Sequence, residues 1–318
     1  MDQIDAAHSR LEEIPVDSID RNPENPRIVF RPTELEDLLA SIHRFGVQVP
    51  ISVYEEGDRY VLIDGERRWR CSVKLNRKTI PALIQKKPDS LTNLLLMFNI
   101  HALREQWDLL TIALKLPRVI LLLTEQLGRT PNERELASET GQPRAVIRRS
   151  KLLMELPDHY KQQILTELNK PKRQQRLTED FFIEMERSLK TVDRAMPGLI
   201  VHKDKVRDVL INKYTGGVIS NITHFRNLSK IARAERVEAD RGAARLALKK
   251  VFEPNKYSIE RAFQDSVSVA YSERDIVSRI NGLMGQLESL DTRELDPEIR
   301  RALERLFNRL SKILGHQR

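Results

Sequence analysis

Cysteine occurs once in this 318-residue chain, at Cys71, which excludes a disulfide framework and a cysteine metal cluster and fits a reducing compartment. Aromatics make up only 5% of residues and glycines number 12, a poor supply for an all-β fold, so helix-rich domains are expected. Long apolar runs are missing as well. The most apolar stretch, residues 109–123, is broken by Lys115, Pro117 and Arg118, which argues against a membrane span. The first residues lack the apolar segment of a signal peptide, so none is expected. Net negative charge is confined to the start. The formal +8 divides into −2 over residues 1–90, +3 over 91–180 and +7 over 181–318. A basic second half points to nucleic acid meeting the later domains, unless a helical protein rich in charge has simply drifted basic. The length suits two or three domains.

The most informative segment is Asp64-Gly65-Glu66-Arg67-Arg68-Trp69-Arg70. It joins a β-rich run, residues 59–63, to a helix-like run, residues 69–75. A glycine at such a turn lets backbone amides approach a ligand, and a helix N-terminus adds partial positive charge. The arginines supply planar donors suited to phosphate oxygens. The alternative is that Arg67, Arg68 and Arg70 only solvate a helix face. Upstream, Thr33 and Glu36 form a capping-box pair ahead of Leu35, Leu38, Leu39, Ile42 and Phe45 at helical spacing. Residues 49–54 and 59–63 read as two strands around the turn Glu55-Glu56-Gly57-Asp58. A small mixed sheet with helices is expected over residues 14–90, after a polar tail at 1–13.

From residue 91 the pattern is helical throughout. One helix is expected over residues 91–116, ended or kinked by Pro117, and a second over 118–127, stopped at Gly128. Residues 131–153 then have the form of a helix-turn-helix. Ala137 lets two helices approach, Gly141 permits the tight turn and Ile147 anchors the second helix. Gln142, Arg144, Arg148 and Lys151 would point away from that anchor, with Arg149 near the edge. Long donors on an exposed helix face are what major-groove reading needs, although a basic αα-hairpin would share the pattern. The domain is expected to span residues 91–168. Residues 169–318 read as a basic linker (170–176) and a helical C-terminal region with a break at Gly216-Gly217. Two apolar stripes close it: Ile276, Ile280, Leu283, Leu287, Leu290, and Ile299, Leu303, Leu306, Leu310, Ile313. A hairpin within one chain and a self-association surface both fit this spacing.

The order Asn25-Pro26-Arg27, helix, Gly46-x-x-x-Pro50-Ile51, strand pair, Gly65-Glu66-Arg67-Arg68-x-Arg70 and Ile80-Pro81-Ala82 resembles the N-terminal domain of the ParB family, over roughly the first half of the chain. The resemblance implies an α+β fold: a ParB/sulfiredoxin-like mixed-sheet domain, then an all-α helix-turn-helix domain and a helical C-terminal region. It implies a DNA-partition protein, of plasmid or chromosome, that binds CTP with Mg²⁺ to switch a dimeric clamp on double-stranded DNA. A ParA-type ATPase is an implied partner, and a cytoplasmic, nucleoid- or plasmid-associated location is implied, with no membrane contact. Gly65, Glu66, Arg67 and Arg68 would bind the triphosphate. The family's Glu-Asn-x-x-Arg element corresponds to Phe98, Asn99 and Arg104, the arginine two positions late; Asn99 would contact phosphate or Mg²⁺. Phenylalanine cannot ligate Mg²⁺, so CTP hydrolysis is weak or absent, or Glu105 substitutes from a shifted register. Sulfiredoxin shares the fold, but its nucleophilic cysteine falls at Glu66, so that chemistry is missing; Cys71 is expected to pack against the sheet. Two rivals remain: a helix-turn-helix transcription regulator of a plasmid or mobile element without a working nucleotide switch, and a ParB-fold nuclease or CTPase with an unusual metal site.

Overall fold

In the computed structural model the described residues are 9–23, 32–102, 108–290 and 295–315. They divide into two compact units. One holds the residues up to Thr191 together with Leu210–Phe225, and the other holds Val192–Val209 and the chain from Arg226 onward.

The first unit begins with a five-stranded mixed sheet. Strands β1 (Arg10–Pro15), β2 (Ile19–Asp20), β3 (Ile51–Glu56), β4 (Arg59–Asp64) and β5 (Thr79–Gln85) lie in the order β1-β5-β3-β4-β2. The β3–β4 hairpin and the β1–β5 pair are antiparallel; β3–β5 and β2–β4 are parallel. β1 starts at Arg10, inside the stretch expected to be a polar tail, because Ile14 buries its side chain in the sheet core while its neighbours stay exposed. Ile14, Ile51, Val53, Leu62 and Ile80 are all essentially inaccessible. Each contributes about 1.5–3 kcal/mol by leaving water. Helices α1 (Pro32–Phe45) and α2 (Glu66–Lys74) pack together beside this sheet. α1 starts one residue ahead of Thr33, with proline in the first turn, where a missing N–H leaves no bond unmade.

Helices α3 (Ser90–Ala102), α4 (Leu109–Leu127), α5 (Glu133–Thr140), α6 (Arg144–Met154) and α7 (Asp158–Leu168) follow. Pro117 neither ends α4 nor separates two helices: it lies within α4, which runs on to Gly128 at φ 67°. Leu116, Val119 and Leu123 carry the buried stripe straight across the proline, and their burial offsets the roughly 3 kcal/mol that an interior proline costs. Together with Leu94, Phe98, Ile112, Leu136 and Ile147 they form the helical core. The expected boundary at residue 168 is not where the chain divides. Tyr160 of α7 and Phe182 of α8 (Glu179–Ala195) have ring centroids 6.0 Å apart, and Phe181 stacks on Phe182, Tyr214 and Phe225 within 5.3 Å. This aromatic core draws α8 and the end of α9 (Lys203–Thr215) into the first unit.

The second unit is helical: α10 (Phe225–Ala232), α11 (Arg241–Val251), α12 (Ile259–Ser266), α13 (Ser268–Glu288) and α14 (Pro297–Ile313). Neither α13 nor α14 buries a single residue, and Ile276, Ile280, Leu283, Ile299, Leu306, Leu310 and Ile313 of the two stripes all face solvent. α13 ends at Glu288, so Leu290 lies beyond the helix it was expected to extend. No helix among the described residues is long and apolar enough to cross a membrane.

Candidate nucleotide and nucleic-acid interfaces

The turn between β4 and α2 is built around Gly65, which has φ 99° and caps α2. A Cβ at this position would stand 2.6 Å from Ile51 Cγ2, so only glycine permits the close approach of turn to sheet. Gly65, as the N-cap, has no side chain to cap α2. An anion at this terminus would meet the positive end of a helix.

The charged residues of the turn divide by role. Glu66 is buried and accepts from Arg21 Nε at 2.8 Å and from Arg70 Nε and Nη2 at 2.9 and 2.7 Å. Arg68 donates to the carbonyls of Val49 at 2.6 Å and Pro50 at 2.5 Å and to Asp64 at 2.8 Å, tying the residue 46–50 loop to the turn. Trp69 Nε1 donates to the Val16 carbonyl at 3.1 Å. Of the four expected triphosphate residues, Glu66 and Arg68 therefore hold the turn in shape, while Gly65 and Arg67 stand at the helix start. Cys71 is buried: its Sγ lies 3.7 Å from the Leu35 carbonyl of α1, and burial raises the thiol pKa against the opposing pull of Arg67 and Lys74.

Phe98, in place of the family's acid, is wholly inaccessible and belongs to the helical core. Asn99 is exposed; its Nδ2 donates to the Leu95 carbonyl at 2.9 Å and to the Glu139 carbonyl at 3.1 Å, bridging α3 to the end of α5. Arg104, Glu105 and the Asn25-Pro26-Arg27 motif lie outside the described residues. Among the described residues no three His, Cys, Asp or Glu side chains are grouped to hold a metal. Asp64 and Glu66, the acids of the turn, are engaged by arginines. A glycine turn at a helix start with an arginine beside it suits a polyphosphate.

The second interface is the helix-turn-helix of α5 and α6. Asn132 accepts from the amides of Arg134 and Glu135 at 2.8 and 3.0 Å, and Glu135 returns a bond from the Asn132 amide at 2.8 Å, a complete capping box. Arg129 bonds the same carboxylate, and this bond, with the Asn132 amide, pulls the Glu135 pKa down to about 2. Gly141 ends α5 at φ 65°. Leu136 and Ile147 sit in the core with Ala137 and Val146 against them, so the spaced small and apolar positions do join the two helices. Ser150 Oγ donates to the Leu109 carbonyl at 3.4 Å, seating α6 on α4.

Arg144 and Arg148 project from the exposed side of α6, and Lys151 is half-buried one turn on. Arg144 and Lys151 make no ion pair among the described residues. Arg148 Nη2 is 3.2 Å from Glu133, an exposed contact worth little. Arg149, at the edge, is paired with Asp180 of α8. Gln142 departs from expectation: it is 9% exposed, held in the turn between two packed helices rather than displayed on α6, which starts at Arg144.

Two supporting features were not anticipated. The Asn132-x-x-Glu135 box was legible as a capping signature. Glu179 was not, because its role is non-local: its Oε1 accepts from the Leu110 amide at 2.6 Å, 69 residues away, capping the start of α4. Burial pushes its pKa up to about 7, helped by Asp108 and Asp180 and opposed by the Leu110 amide and Arg149.

Comparison with known proteins matches residues 1–100 to the ParB N-terminal domain. Over 153 residues the chain is 35% identical to the protein named probable chromosome-partitioning protein ParB of Pseudomonas putida, covering 48% of this chain and 50% of that one. Over 166 residues it is 32% identical to the nucleoid occlusion protein of Bacillus pumilus, covering 51% and 54%. The chain spans about half the length of the curated relatives it matches. A C-terminally truncated ParB of Caulobacter crescentus, complexed to the centromeric parS site, superposes with a TM-score of 0.42 at 24% identity, covering 70% of this chain and 98% of that one. That superposition is too loose to bear on the reading, which rests on the sequence identities and the matched domain. The first 100 residues match the ParB N-terminal domain, and the identity to ParB-type relatives runs through about half of the chain.

Proposed function

We propose that the chain is a DNA-binding partition protein in which α6 reads double-stranded DNA and the Gly65 turn binds CTP, the nucleotide switching a dimeric clamp. One observation carries this: a single compact unit holds both a glycine-led helix start bearing Arg67 and a helix-turn-helix bearing Arg144, Arg148 and Lys151. Both named relatives belong to chromosome or nucleoid biology, which agrees with a location on the nucleoid or a plasmid. Gly65 and Arg67 take the phosphates, with Glu66 and Arg68 shaping the turn; Asn99 and Arg104 complete the site in the family pattern. The exposed stripes of α13 and α14 supply the self-association that a clamp requires. A ParA-type ATPase is the partner this role calls for.

The test is calorimetry of the purified chain with each of the four ribonucleoside triphosphates, with and without DNA. CTP alone should bind, and Arg67→Ala should weaken it by roughly tenfold or more, about 1.4 kcal/mol, while duplex affinity at low salt stays within about twofold. Equal affinity for all four nucleotides, or none, would leave the second reading: a helix-turn-helix regulator without a nucleotide switch. That reading draws on the burial of Phe98 at the acid's position. With no grouped metal ligands among the described residues, a nuclease has little to stand on.

A further inference from the structure

We propose that the second unit carries its own contact for the phosphate backbone of DNA, formed by Lys230, Arg233, Arg236 and Arg274 around Tyr271. The proposal rests on the DNA-binding reading above and adds a surface apart from α6.

The cluster is assembled by three elements. α10 ends at Ala232 and supplies Lys230; the 3₁₀ turn Ala234–Val237 follows, flanked by Arg233 and containing Arg236; α13 brings Tyr271 and Arg274. Its floor is aromatic. The Phe263 and Tyr271 rings lie 5.8 Å apart, and the Lys230 ammonium sits 5.3 and 5.7 Å from their centroids. The Tyr271 hydroxyl donates to the Lys230 carbonyl at 3.2 Å, and the Arg274 guanidinium donates to the Arg236 carbonyl. These bonds tie α13 to the end of α10 and to the 3₁₀ turn. Burial raises the Tyr271 pKa, and the positive field of Arg233, Arg274 and Arg236 pulls it back, an independent sign that the three arginines surround one point.

What singles the cluster out is that none of the four cations has a carboxylate partner among the described residues. Pairing is common elsewhere on this surface. Arg59 meets Asp20, Arg129 meets Glu135, and on α13 itself Arg279 meets Asp275 at 2.8 Å. Of the acids beside these cations in the chain, Glu235 is taken by Arg241 at 2.7 Å and Asp275 by Arg279, and Glu273, next to Arg274, is exposed and makes no ion pair among the described residues. Four like charges gathered on a rigid aromatic base repel one another unless an anion joins them. Lys230, Arg236 and Arg274 are exposed and Arg233 is half-buried, so the donors are accessible. Planar guanidinium forks match the paired oxygens of a phosphodiester, and a row of phosphates supplies several such anions within reach at once.

The test uses the full chain and a duplex of about 30 base pairs with scrambled sequence, titrated across salt. In the Arg233→Gln, Arg236→Gln, Arg274→Gln triple variant the slope of log K against log salt should shrink by roughly 2–3. The matching Arg→Lys triple variant should keep both the slope and the thermal melt of the wild type. A wild-type slope in a folded Gln variant overturns the proposal, as does loss of slope in a folded Lys variant. If the Gln variant loses binding to polyglutamate but not to duplex, the surface serves an acidic protein instead. If the wild-type chain binds no duplex even at low salt, it is the DNA-binding reading that fails.

Discussion

The Gly65 turn and the helix-turn-helix both concentrate arginine, but they use it in opposite ways. At the turn, Arg68 and Arg70 point inward: three carbonyl or carboxylate bonds on one, a buried glutamate on the other. On α6, among the described residues, Arg144 has no ion partner and Arg148 an exposed one. The first set is architecture; the second is display. Burial, rather than residue type, decides which role a guanidinium plays.

Gly65→Ala should break the comparison most severely. The methyl would strike Ile51 and the backbone would sit in a strained region, at a combined cost of about 2–4 kcal/mol. Urea unfolding should show this as a lowered midpoint, and an unchanged midpoint would mean the turn is looser than described. Next comes Glu179. A carboxyl whose folded pKa stands near 7 binds more protons folded than unfolded, where the ordinary value is 4.5. Its contribution is therefore complete below about pH 4.5 and is lost as pH rises toward 7, about 1–3 kcal/mol over that window. Glu179→Gln, which keeps an acceptor for the Leu110 amide, should flatten that slope in melts between pH 5 and 8; an unaltered slope would place the titration elsewhere. Smallest for the fold is Arg148→Ala, expected to leave stability within about 0.5 kcal/mol. It should still remove roughly 1–3 kcal/mol of sequence discrimination if Arg148 reads a base, measured as the affinity ratio between preferred and scrambled duplexes.

Local chemistry explains why much of this was legible beforehand. The hairpin around Gly57, the glycine turn at Gly65 and the Ala137, Gly141, Ile147 spacing are signals written within a few residues of where they act. Less legible was whatever depends on partners distant in the chain. Residues 10–13 look polar in isolation, yet pairing with β5 makes them part of a strand. Pro117 reads as a breaker until Val119 and Leu123 are seen to hold α4 together. Gln142 looked like a donor for DNA because helix geometry was extended one turn too early. Within the turn, nothing in the motif itself shows that Arg68 is held by the carbonyls of Val49 and Pro50, which another loop brings up.

Phe98 closes a route as well as filling a space. With its ring at zero exposure among Leu94, Ile112 and Ile147, reinstating a glutamate would drive a carboxylate into hydrocarbon, a change of several kcal/mol. A glutamate at position 98 would thus loosen the packing of α3 on α4 and α6 before it could hold anything, so a carboxylate can be introduced there only together with a repacked core.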